Sequence, residues 1–175
     1  MIDIDALAAM LGLPEDSVRP LAHRAAVALE RRHAPGVHLA ARVQGAAIDE
    51  EIRWRKRDPG ASAHEDLSRT TEEGAEAIAL ALSRVHRSWR VERRLQSRLA
   101  EGADWLLVDI SSGAEVVLEI GGTDAQDISE LARRKIEQAR RSPLAGVCKP
   151  AACVVRFMEP SANLWSDDEP RGIEP

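Results

Sequence analysis

Two carboxylates frame the chemistry this chain could do. Asp104 opens the apolar run Trp105-Leu106-Leu107-Val108, and Glu119 follows the apolar run Val116-Val117-Leu118. The hairpin between them turns at Ser111-Ser112-Gly113, so antiparallel pairing brings the two acids onto neighbouring strands within about one residue of register. A lone carboxylate in an apolar strand is costly unless it is paired or bound to a cation. Two held side by side suit a hard divalent ion, Mg²⁺ or Mn²⁺, the kind of ion that supports water attack on a phosphodiester. Taken singly, Asp104 also reads as a cap where a strand begins and Glu119 as a solvated edge residue. The pair is the informative feature.

A third carboxylate is expected from a helix. Thr70-Thr71-Glu72-Glu73 forms a capping box and opens a helix running to about Val85, with Ala75, Ile78, Ala79, Leu82 and Val85 as its apolar stripe. At 100° per residue, Glu72 lies about 80° from the stripe centre and Glu73 nearly opposite, which makes Glu72 the candidate. Glu72 also reads as a first-turn carboxylate favouring the helix dipole.

The elements that must position these groups follow from periodicity and turn residues. Residues 3–33 read as helical, and Pro35-Gly36 ends that stretch. Gly12 between two short helical patterns suggests a helix-turn-helix, but no basic recognition helix follows, so a packing appendage is expected. Val37, Leu39 and Val43, then Ile48, Ile52 and Trp54, read as a hairpin around Gly45 lying beside the main domain, and Asp58-Pro59-Gly60-Ala61-Ser62 as a linker. After the 70–85 helix come strands at Trp89 to Leu95, Asp104 to Ile110 and Glu115 to Ile120. Gly121-Gly122-Thr123-Asp124 then turns into a helix from about Ala125 to Arg141, and a last strand runs from Ala151 to Met158. The continuously apolar strands predict a sheet covered by helices on both faces. The expected organisation is an N-terminal helix and β-hairpin extension (1–60), a mixed α/β core (61–158) and an acidic, Pro-containing coil (159–175).

The core order of helix, three strands, helix and strand, with Gly102-Ala103-Asp104 opening the second strand and Leu118-Glu119-Ile120-Gly121 ending the third, resembles the restriction-endonuclease-like, or PD-(D/E)xK, nuclease superfamily. The resemblance covers roughly residues 64–158. It implies a restriction-endonuclease-like core in which Glu72, Asp104 and Glu119 hold Mg²⁺ or Mn²⁺ for hydrolysis of DNA phosphodiesters, in defence or repair. The family's lysine, two residues after the third-strand acid, would fall at position 121, where this chain has Gly121. Lys135 on the following helix is the expected replacement, since the superfamily tolerates a lysine moved to another element, and Gln138 also resembles members with a glutamine there. The same segments resemble a group of bacterial proteins without an assigned activity.

Charge distribution bears on the substrate. The net charge is −5, which argues against a constitutive nucleic-acid coat protein. Residues 84–98 nevertheless carry six Arg against Glu92, and residues 133–149 six basic side chains against Glu137, so both flanks of the expected site are locally positive. Arg90, Arg94 and Arg134 are the candidate phosphate contacts. These charges equally read as solvated faces paired with acidic segments. Four Trp, one Phe and no Tyr give little support to stacking on single strands.

Several classes are set aside. No Walker loop, G-x-G-x-x-G, nucleophile elbow or H-E-x-x-H occurs. Cys148 and Cys153 have no cluster to complete a zinc site and read as buried or incidental thiols. No apolar run approaches the roughly 18 residues that span a bilayer, and the start Met-Ile-Asp-Ile-Asp is acidic where a secretory signal is basic, so a cytoplasmic protein without a membrane partner is expected. From a different class, Gly121 favours a catalytically inactive nuclease-fold module that binds a protein partner or assembles into a homo-oligomer or larger complex.

Overall fold

The computed structural model describes residues 1–57, 66–95 and 103–167. In chain order the elements are β1 (Ile2–Asp3), a 3₁₀ turn (Ile4–Ala6), α1 (Leu7–Leu11), α2 (Glu15–Glu30), β2 (Val37–Val43), β3 (Ala46–Arg53), α3 (Leu67–Arg87), β4 (Trp89–Arg94), β5 (Trp105–Asp109), β6 (Glu115–Thr123), α4 (Ile128–Arg141), a 3₁₀ turn (Pro143–Gly146), β7 (Lys149–Arg156) and β8 (Ser161–Ser166). The chain is mixed α/β, and the strands among the described residues form one eight-stranded sheet in the order β1-β3-β2-β8-β7-β6-β5-β4. β4, β5 and β6 pair antiparallel in succession, while β7 lies parallel to β6 after the crossover through α4. Such a parallel step needs a long connection, and α4 supplies it.

The expected hairpin is present, with Gln44 and Gly45 both at positive φ in its turn. It joins the sheet directly, because β2 pairs parallel with β8. That strand corrects the expectation of a coil from Glu159. Pro160 read as the start of unstructured chain, yet it stands just before a strand in which Ala162, Leu164 and Trp165 are buried. The linker at 58–62, Gly102 and the last eight residues lie outside the described residues.

α3 begins at Leu67, earlier than the Thr70 capping box predicts. The cap is Asp66, whose carboxylate accepts from the Arg69 backbone N–H at 2.8 Å, and the Thr70 and Thr71 hydroxyls donate back to the carbonyls four residues earlier. Ser88 in the left-handed region ends the helix. The segment Thr70 to Ser83 is buried almost all round, because α3 lies between α2 and the sheet. A Cβ at Gly74 would sit 3.1 Å from backbone atoms of α2, so the two helices cross at close range.

Gly121-Gly122 is strand, where the sequence predicts a turn. β6 continues to Thr123, and the two glycines serve its two faces. A Cβ at Gly122 would overlap the Thr71 carbonyl oxygen and lie 2.9 Å from the Ala75 Cβ, which lets α3 seat against the sheet. Gly122→Ala is therefore expected to cost about 1–3 kcal/mol in urea unfolding. Gly146→Ala, with open space around the added methyl, is the neutral control. Equal stability of the two variants would contradict this packing.

α4 covers the opposite face and is very polar, with only Ala132 and Ala139 buried. Helices thus pack on both faces of β6, as the apolar strands predict. Cys148 and Cys153 are free and buried, and burial pushes the Cys153 thiol up to about 12. Among the described residues, no helix is long and apolar enough to cross a membrane.

Candidate active site

Pairing of β5 with β6 sets Trp105 opposite Leu118, so Asp104 and Glu119 are the residues that flank that pair where β5 begins. The Asp104 backbone N–H donates to the Leu118 carbonyl at 3.1 Å. Its Oδ2 accepts from the Ile120 backbone N–H at 2.7 Å, which fixes the carboxylate across the strand pair. The sequence expectation of register within a residue is met.

Glu119 is 1% exposed and faces α4. Its Oε2 accepts from Lys135 Nζ at 3.2 Å, while the buried Oε1 has no hydrogen-bond partner. Burial and the neighbouring Asp104 charge push its carboxyl up to about 7, against the opposing pull of Lys135 and, more weakly, of Gln138. A carboxylate this deep with one oxygen unclaimed is a ligand-ready group.

Lys135 reaches Glu119 by passing Gly121 on the same face of β6. A Cβ on residue 121 would lie 3.4 Å from Lys135 Cγ and 3.5 Å from Leu131 Cδ2. The stem of the helix lysine thus runs beside the spot where a residue-121 side chain would begin.

Glu72 does not join this group. It is exposed on the first turns of α3, where Ser68 Oγ donates to it at 3.4 Å. The acid that α3 does turn inward is Glu76, which sequence reading missed. Its Oε1 accepts from Arg94 Nη2 at 2.6 Å and its Oε2 from Trp105 Nε1 at 2.8 Å. Burial pushes its carboxyl up, Arg94 and the Trp105 bond oppose this, and Asp104 adds to it. The available signal was a single acid inside the apolar stretch Ala75-Glu76-Ala77-Ile78-Ala79-Leu80-Ala81-Leu82.

The candidate phosphate contacts differ in availability. Arg90 donates through Nε to Glu92 at 2.8 Å, and Arg94 is committed to Glu76. Arg134 is exposed and has no ion-pair partner among the described residues. With Glu137, Gln138, Arg141, Ser142 and Pro143 it lines an open depression of about 450 Å³.

No group of three or more His, Cys, Asp or Glu side chains that could hold a metal occurs among the described residues. Asp104 and Glu119 are a two-carboxylate set, and Mg²⁺ is commonly held by one or two carboxylates with waters and substrate phosphate completing the shell. The unpartnered Glu119 Oε1 fits that use. Comparisons with protein-family models, with curated proteins and with solved structures return no match to this chain.

Proposed function

We propose that this chain is a divergent restriction-endonuclease-like protein, and that Asp104, Glu119 and Lys135 form a divalent-metal-dependent site for hydrolysis of nucleic-acid phosphodiesters, with DNA the leading substrate. The order α3, β4, β5, β6, α4, β7, three antiparallel strands and then a parallel one, supports the fold reading. One observation carries the activity: Lys135 donates to one oxygen of a buried Glu119 whose other oxygen has no partner, beside Asp104.

Asp104 and Glu119 would hold Mg²⁺ or Mn²⁺. The ion, when bound, polarises the phosphoryl oxygens and favours deprotonation of an attacking water. Asp104 is held in place by the Ile120 N–H. Lys135 is aimed at the site from a half-buried position, where it offsets charge developing on phosphorus. Arg134, beside the depression on α4, contacts the flanking phosphates.

The test is cleavage of duplex DNA, single-stranded DNA and RNA with Mg²⁺ or Mn²⁺, for wild type and Asp104→Ala. The expected result is metal-dependent cleavage that chelator and the substitution both abolish. Equal cleavage by the variant would assign it to a contaminant. Arg134→Ala is expected to weaken substrate binding and to reduce the slope of log affinity against log salt by about one unit. Arg90→Ala should change the slope less, because Glu92 already neutralises that guanidinium. A filter-binding series over salt concentration measures both.

A second reading is a catalytically inactive module of the same fold that engages a protein partner. The observation in its favour is that no third carboxylate completes the site among the described residues, Glu72 being exposed and both oxygens of Glu76 engaged. Such a module folds and binds its partner unchanged in chelator.

A further inference from the structure

Glu76 lies on the α3 side of the sheet, and its carboxylate joins two strand positions that face each other. Arg94 and Trp105 are paired residues of β4 and β5. One step further, the Leu95 backbone N–H donates to the Asp104 carbonyl at 2.9 Å. Glu76 therefore pins the end of β4 and the start of β5 at once, immediately beside Asp104. A carboxylate 7% exposed in the middle of an otherwise apolar helix segment is an expensive way to hold two strands together. Apolar packing would hold them without that cost, but it would not fix the indole direction.

The indole bond matters because Trp105 is covalently next to Asp104, and side chains alternate across the strand. Fixing the Trp105 ring on the α3 face fixes the rotation of β5 about its axis, and with it the direction in which Asp104 leaves the opposite face. The Arg94 guanidinium lies 5.8 Å from the centre of the Trp105 ring, which closes the group on its outer side.

We infer that Glu76 is a positioning residue for the Asp104–Glu119 site, acting through the Trp105 indole rather than by touching metal or substrate. The inference rests on the reading of Asp104 and Glu119 as a metal site. It assigns Glu76 a role that differs from that of a third metal ligand, because the hydrogen bond, not the negative charge, is what transmits.

That difference is measurable in a double-mutant cycle on Mn²⁺ affinity, read by calorimetry, with the fold of each full-length variant monitored by circular dichroism. Glu76→Ala and Trp105→Phe should each weaken Mn²⁺ binding about tenfold, as loss of groups that orient metal ligands commonly does. The double variant should be no weaker than either single one, since both remove the same bond. Glu76→Gln, whose carbonyl oxygen still accepts from the indole, should stay within about twofold of wild type. Glu76→Gln, which keeps the side-chain volume, and Trp105→Phe, which keeps an aromatic ring at that place, carry the comparison if Glu76→Ala does not fold.

A purely structural role would lower the melting temperature of Trp105→Phe while leaving Mn²⁺ affinity of the folded protein unchanged, and that result overturns the inference. So does a large loss in Glu76→Gln, which would make the charge the active feature. Absence of Mn²⁺ binding by wild type overturns the metal site itself, and the inference with it.

Discussion

Replacing Glu119 by Gln is expected to stabilise the metal-free protein at about pH 8 by on the order of 3 kcal/mol and to leave it nearly unchanged at about pH 4. The carboxyl stands at about 7 in the folded chain against an ordinary value of 4.5. The folded state therefore holds a proton that the unfolded state has already released. Below the ordinary value both states are protonated and the group contributes nothing. As pH rises from 4.5 towards 7 stability falls, and above 7 the full cost of ionising a buried carboxylate is carried by the native state. Gln imitates the protonated form at every pH and removes that decline. Urea unfolding at the two pH values measures it, and parallel pH profiles for wild type and variant would contradict the account. Mg²⁺ should reverse the trend in wild type, because a cation binds the ionised pair and stabilises the state that holds it.

The second large effect concerns the lysine. Lys135→Ala is expected to lower metal-dependent cleavage by about 10²–10³-fold, the usual consequence of losing one group aimed at developing charge. In that background, Gly121→Lys should recover about tenfold or more of the loss, since the lost stabilisation is electrostatic. The space supports this. The neighbours of a residue-121 Cβ are the stem of Lys135 itself and the Leu131 side chain at ordinary contact distance, and Gly121 does not need a positive φ. Steady-state cleavage rates for the single and double variants decide it. A fully active Lys135→Ala protein would remove the lysine from the mechanism, and a double variant as inactive as the single one would deny that the two positions serve the same spot.

The pairing of Asp104 with Glu119 was legible because it depends only on a two-residue period and a short turn, both local. Lys135 was singled out only as the stand-in for a lysine that the nuclease resemblance implies. The contact itself was not legible, because it depends on how α4 packs across β6. Glu76 was out of reach for a similar reason. A stripe calculation assumes that a helix buries one face, whereas α3 is enclosed by α2 as well as by the sheet, and Glu76, well away from the stripe, is buried against Arg94 and Trp105 of β4 and β5. That same error favoured Glu72, which sits one turn earlier where α3 is still exposed.

Glycine was misread for a physical reason as well. Gly-Gly ordinarily breaks a strand, but here Gly122 makes room for α3 on one face of β6 while Gly121 faces α4 on the other. Pro160 led to the loss of β8, whose buried Leu164 and Trp165 lie beyond it. The edge strand β4 shows the limit of reading charge from sequence. Its arginines suggested a phosphate surface, but Arg90 and Arg94 are committed to Glu92 and Glu76, whereas Arg134 on α4 is left open.

Calorimetric titration of Mg²⁺ and Mn²⁺ into wild type and Glu119→Ala at about pH 8, above the carboxyl's folded value, tests the central claim most directly. The account predicts one specific site in wild type, weaker at lower pH as Glu119 takes up its proton, and loss of that site in the variant. Absence of specific binding in wild type, or binding that Glu119→Ala leaves unchanged, would contradict it.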